Sequence, residues 1–152
     1  MNIFKVMLFL IVASTVPSKG FSQEIPEKLF DNQYLEKILN VGSFNIIKNE
    51  NYHFNGVLKV GEFGKYKELF CVVGKYREKN KNGYETFVAI LSKNAKGFKK
   101  EKVFEFFREK IDELQYRDGL IYVVFTGESD NFGWVEWKEG DFSFVVYNDP
   151  EL

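Results

Sequence analysis

"LFCVVGKYREKNKNGYETFVAILSKNAKGFKKEKVF", residues 69 to 104, is the stretch whose reading decides the fold. It opens on an apolar run, breaks into the polar "REKNKNG", resumes as "YETFVAIL", turns through "NAKG" and returns as "FKKEKVF". Short runs rich in Val, Ile and Phe, separated by Gly, Asn and Lys clusters, are strands joined by turns. In "LFCVV" the apolar run is continuous, as in a central strand covered on both faces.

The pattern then repeats. "LIYVV", a polar loop, "FGWVEW", a turn ending in Gly140 and "DFSFVVY" follow the same order. Corresponding landmarks lie 51 residues apart for Leu69 and Leu120, 48 for Tyr84 and Phe132, and 43 for Gly97 and Gly140. Each unit has a strand before it, "GVLKVGEF" and "IDELQYR". Two four-stranded meanders in tandem, at a period near 50, have the spacing of blade-type repeats. With "FNIIK" upstream, the chain is expected to carry eight or nine antiparallel strands. "LIYVV" is expected to be covered on both faces, like "LFCVV".

Upstream of Gly42 the period changes. In "EIPEKLFDNQYLEKILNVG" Leu29, Phe30, Tyr34, Leu35, Ile38 and Leu39 recur at helical spacing. Pro26 suits a first helical position, Asp31 a second start, and Gly42 the terminus. One helix, or two short ones, is expected over about residues 26–40.

The first residues belong to a different category. Lys5, an apolar run from Val6 to Val16, and the small residues of Gly20-Phe21-Ser22 follow the order of a secretory signal peptide. The run is about 11 residues, against roughly 20 needed to span a bilayer. Residues 1–22 are therefore expected to be a signal peptide cleaved after Ser22 or Gln23, and 23–152 a single β-rich domain. The mature protein is expected in the periplasm or outside the cell, without stable membrane insertion.

Composition agrees with a sheet protein. Aromatics make up 18%, with 17 Phe, 8 Tyr and 2 Trp, and large flat side chains suit pleated surfaces. Net charge is −1, and removing the leader, with Lys5 and Lys19 and no acid, makes it −3. Nucleic-acid binders present basic patches, so no nucleic-acid partner is expected. The densest basic run, "KGFKKEKVF", has apolar residues between its charges and reads as the wet side of a strand. Cys71 is the single cysteine and sits in "LFCVV", where a free thiol behaves as a small buried hydrophobe.

"VGEFGKYKELFCVVGKY", residues 60 to 76, resembles a degenerate FG-GAP or VCBS-type β-propeller blade. In that family a Gly-aromatic turn leads into an acidic loop and an apolar strand. "LQYRDGLIYVV" is similar to the inner hairpin of propeller blades, and the resemblance covers about residues 54–147. In the family the acidic loop holds calcium through alternating Asp residues. Here residues 62–68 carry Lys65 and Lys67 and no Asp, so calcium is not carried over. Closed propellers have at least about four blades. Two units are expected to pack face to face as a sandwich, or to form one bent sheet, with the helix covering an open end.

"TGESDNFGWVEW", residues 126 to 137, gathers the polar side chains that most resemble a site. Its spacing does not match a calcium loop, which needs alternating oxygens and a late bidentate acid, so no metal and no cofactor are expected. It reads as a hairpin with a polar tip, and Glu128, Asp130, Asn131 and Trp134 are the candidate ligand-binding residues. Trp134 and Trp137 lie three apart on a strand and point to opposite faces. Trp137 shares parity with Val135 and is expected to face the core, leaving Trp134 more exposed.

His53 is the single imidazole and has no Cys or His beside it. No "GxSxG", P-loop or dinucleotide fingerprint occurs, and no catalytic residue is assigned. The expected function is an exported, non-enzymatic interaction module that binds a protein or glycan. Among such roles, a periplasmic inhibitor or immunity-type protein fits the size and acidity. The alternative is a carboxylate-based hydrolase acting on a glycan, which needs an acid pair across a cleft.

Overall fold

The computed structural model describes residues 24–77, 83–106, 109–126 and 132–147. A 3-10 turn, Glu27–Phe30, leads into helix α1, Asn32–Leu39. Asp31 starts that helix: its Oδ1 accepts from the backbone N–H of Gln33 at 2.9 Å and of Tyr34 at 3.2 Å, satisfying two donors that have no partner within the helix. The helix ends earlier than Gly42. Asn40 takes the left-handed cap conformation, φ 55°, which asparagine tolerates better than most residues. Gly42 serves close approach instead, since a Cβ there would lie 2.7 Å from the Arg77 carbonyl oxygen.

Every strand run expected from the sequence is present, in two antiparallel sheets. The first holds β1 (Phe44–Ile46), β2 (Val57–Val60), β3 (Leu69–Tyr76), β4 (Glu85–Asn94) and β5 (Gly97–Phe106). β3, β4 and β5 run in order, while β1 and β2 share the far edge of β3, pairing with its end and its start respectively. The second sheet is the meander β6 (Ile111–Arg117), β7 (Leu120–Phe125), β8 (Phe132–Lys138) and β9 (Asp141–Val146). Its tight turns carry their expected chemistry. Asp118 and Gly119 have φ 53° and 73°, and Glu139 and Gly140 have φ 53° and 84°. Positive φ at both central residues is the two-residue hairpin turn that matches strand twist.

The two sheets pack face to face, and α1 lies on the outer face of the first. This corrects the expectation that the helix covers an open end. The apolar stripe of α1, Leu35 and Leu39, needs a flat apolar surface, and β3 and β4 supply one. Because side chains alternate along a strand, Leu69, Cys71 and Val73 point into the sandwich while Phe70, Val72 and Tyr76 point to the helix. On β4, Val88 and Ile90 point inward and Phe87, Ala89 and Leu91 toward the helix. Cys71 is fully buried, and burial pushes its thiol up to about 12. It is inert as a nucleophile, because the thiolate is the reactive form.

The second sheet is covered on one face. On β7, Ile121, Val123 and Phe125 are buried, whereas Leu120, Tyr122 and Val124 are partly exposed. This corrects the expectation that "LIYVV" is covered on both faces. The run is as apolar as "LFCVV", but among the described residues no third layer lies over it.

Candidate functional site

The uncovered face of the second sheet is built by register. Across β6, β7, β8 and β9 the residues Gln115, Tyr122, Trp134 and Val145 stand opposite one another. A parallel row runs through Glu113, Val124 and Phe132, and Tyr147 joins it by stacking on Phe132 at 4.5 Å and 11°. A third row holds Arg117, Leu120, Glu136 and Ser143. Tyr122, Phe132 and Trp134 form a triangle of rings with centroids 6.2, 6.4 and 6.3 Å apart, and their planes are tilted by 40° to 50°. The Arg117 guanidinium lies 4.4 Å from the Tyr122 ring centre, a cation over a ring face.

Trp134 therefore stands where the sequence placed it, on the face away from the core. Trp137 points the other way. Its ring packs edge-on against Phe142 at 4.8 Å and Tyr66 at 5.6 Å, in contact with the buried cluster between the sheets. It is half-buried rather than fully enclosed, because it covers the end of the sandwich where the turn at Gly64 closes over it. Phe63 and Tyr66 exchange backbone hydrogen bonds around that turn, and a Cβ on Gly64 would fall 2.3 Å from the Trp137 ring. The Gly-aromatic turn is thus a plug for one end of the core.

Glu128, Asp130 and Asn131 lie outside the described residues. β7 and β8 pair as the expected hairpin, with Val124 opposite Phe132.

Polar groups between the sheets are already partnered. A bulge on β5 leaves Glu101 without a partner residue on β4, since Ile90 pairs Lys102 and Leu91 pairs Lys100. Glu101 accepts from Ser92 Oγ at 2.5 Å and Tyr66 Oη at 3.0 Å. Burial raises its pKa, but the hydrogen bonds from Ser92 and Tyr66 and the charge of Lys99 outweigh this, so it sits below the usual carboxylate range. Tyr66 is raised, first by burial and then by Glu101. Lys102 joins the two sheets through Asp141 at 2.9 Å, and that hydrogen bond holds Asp141 low.

No family model, curated protein or solved structure matches the chain.

Two concave sites lie elsewhere among the described residues. A cleft of about 560 Å³ runs between the end of α1 and β5, lined by Leu39, Val41, Tyr76, Lys100, Val103 and Glu105 among others. Its polar groups are used internally. Lys100 Nζ donates to the Leu39 carbonyl at 3.2 Å, and Tyr76 Oη donates to Glu105 at 2.8 Å. A notch of about 140 Å³ sets Lys48, Lys75 and Lys110 around Asp112, whose carboxylate accepts from Asn49 at 3.0 Å and Thr126 at 2.7 Å. Both read as seams between elements. Among the described residues no group of three His, Cys, Asp or Glu side chains is placed to hold a metal, and no helix is long and apolar enough to cross a membrane.

Sequence reasoning found Trp134 and missed its companions Tyr122, Phe132 and Tyr147. It compared the two indoles within one strand, whereas the surface is assembled across strands. The signal was present in parity: fixing "RDG" as a two-residue turn puts Leu120, Tyr122 and Val124 on the face of Arg117.

Proposed function

We propose that this chain is an exported, non-enzymatic interaction module that binds a protein or glycan through the open face of its second sheet. The carrying observation is the group of rings around Trp134, with Tyr122, Phe132 and Tyr147 beside it on a face that no described element covers. Aromatic side chains offer large contact area at low entropic cost and dominate binding energetics where they meet a partner. Export is supported by Lys5, the apolar run from Val6 to Val16 and the small residues ending at Ser22. Among modules of this kind, a periplasmic inhibitor or immunity-type protein suits the size and net charge.

N-terminal sequencing of the secreted protein should begin at Gln23 or Glu24; an intact Met1 on a cytosolic protein contradicts export. Binding is tested by coupling the wild type and Trp134→Ala to beads and offering both an extracellular extract. Retention of a specific component by the wild type and its loss by the variant are expected, with any bound polysaccharide recovered uncleaved. Equal retention by both moves the site elsewhere.

A further inference from the structure

The polar groups of the open face say more about the partner than its rings do. The Trp134 indole N–H, the Tyr122 hydroxyl, the Glu136 carboxylate and the Ser143 hydroxyl make no hydrogen bond to any described residue, and Arg117 meets Tyr122 through its ring alone. They are donors and acceptors interleaved with aromatic surface. A partner that covers the face must satisfy them, since a buried polar group left unpaired costs about 1–3 kcal/mol. An apolar helix or sheet face would leave several stranded. A sugar ring has the opposite pattern: C–H bonds on its faces, which suit the negative face of an aromatic ring, and hydroxyls at its rim that both donate and accept.

Charge and shape narrow the class. Two acids, Glu113 and Glu136, are matched by two cations, Arg117 and Lys138, on this face of a net acidic chain, so it offers no basic patch to attract a polyanionic glycan. The tilts of 40° to 50° between neighbouring rings mean that they share no common plane, which suits a twisted soluble chain better than a flat crystalline one. We infer that the open face binds a neutral, soluble polysaccharide, stacking a sugar ring on Trp134 while Arg117, held over the Tyr122 ring, takes its hydroxyls with Glu136 and Ser143. This rests on the reading of the open face as a binding surface and names its ligand.

Native affinity electrophoresis tests it, in gels containing hydroxyethylcellulose, xylan, galactomannan or, as the acidic comparison, alginate. The wild type should be retarded by at least one neutral polymer and not by alginate. Trp134→Ala and Tyr122→Ala should each weaken that retardation roughly tenfold or more, with unchanged circular dichroism. Tyr52→Ala, at a residue 50% exposed and outside this face, should behave as wild type. Retardation that survives both face variants, or retardation by alginate alone, overturns the inference. So does the absence of retardation in every gel. In that last case, a protein retained on wild-type beads and lost by Trp134→Ala leaves the interaction module standing with a protein partner, and retention of nothing removes both.

Discussion

In the first sheet β3 is buried on both faces, and in the second β7 is buried on one. The two strands read almost alike, "LFCVV" and "LIYVV". The difference lies outside the strands. Leu35 and Leu39 of α1 rest on the side chains of Phe70, Phe87 and their neighbours, so the first sheet has a third layer. The outward residues of β7 instead meet rings from β8, with Arg117 over Tyr122. An apolar run in a strand thus reports that the surface is suited to be covered, while the neighbour that covers it comes from elsewhere in the chain or from a partner.

The comparison is sharpened most by removing the covering layer. Leu35 is fully buried between α1 and the first sheet, and Leu35→Ala should lower stability by about 2–5 kcal/mol in a denaturant melt. A loss near zero would mean that the helix is not docked.

A smaller effect is expected where the two sheets meet. Gly64 has φ 57° and its missing Cβ would fall 2.3 Å from the Trp137 ring. Gly64→Ala should cost about 1–3 kcal/mol through overpacking and an unfavourable backbone conformation, and should red-shift Trp137 emission as the plug lifts. Unchanged emission and stability would detach the turn from the core.

The smallest effect is a pH dependence at the bulge. Glu101 has its carboxyl lowered in the folded protein. A depressed folded value stabilises above the ordinary carboxylate range, and that contribution is lost as pH falls through the folded value. The wild type should lose stability on acidification, and Glu101→Gln should flatten part of that limb between about pH 5 and the folded value. Parallel acid limbs for the two proteins would remove Glu101 as a contributor.

Strand positions were legible because alternation and turn residues are local. "RDG" and "KEG" hold the positive-φ pairs their turns need, and Asp31 is the cap that its sequence position suggests. Layering was less legible. Nothing in "EKLFDNQYLEKIL" states which of two apolar sheet faces receives its stripe, and burial on a second face is a property of the pair. The extent of β2 was overestimated at its far end: "GVLKVGEF" runs to Phe63, whereas the strand stops at Val60 and Phe63 instead exchanges backbone hydrogen bonds with Tyr66 around the Gly64 turn. Of the candidate site, Trp134 followed from parity within β8, while its companions depended on cross-strand register that a single strand does not carry.

Among the described residues the second sheet has an open outer face where the first has a covered one. Denaturant melts of Phe87→Ala and Trp134→Ala, side by side, test this most directly. Phe87 is fully buried on the outer face of the first sheet and should lose about 3–5 kcal/mol. Trp134, on the outer face of the second and partly exposed, should lose no more than about 1.5 kcal/mol despite its larger ring. Losses of equal size would mean that the second sheet is covered as well, and would contradict both the open face and the site built on it.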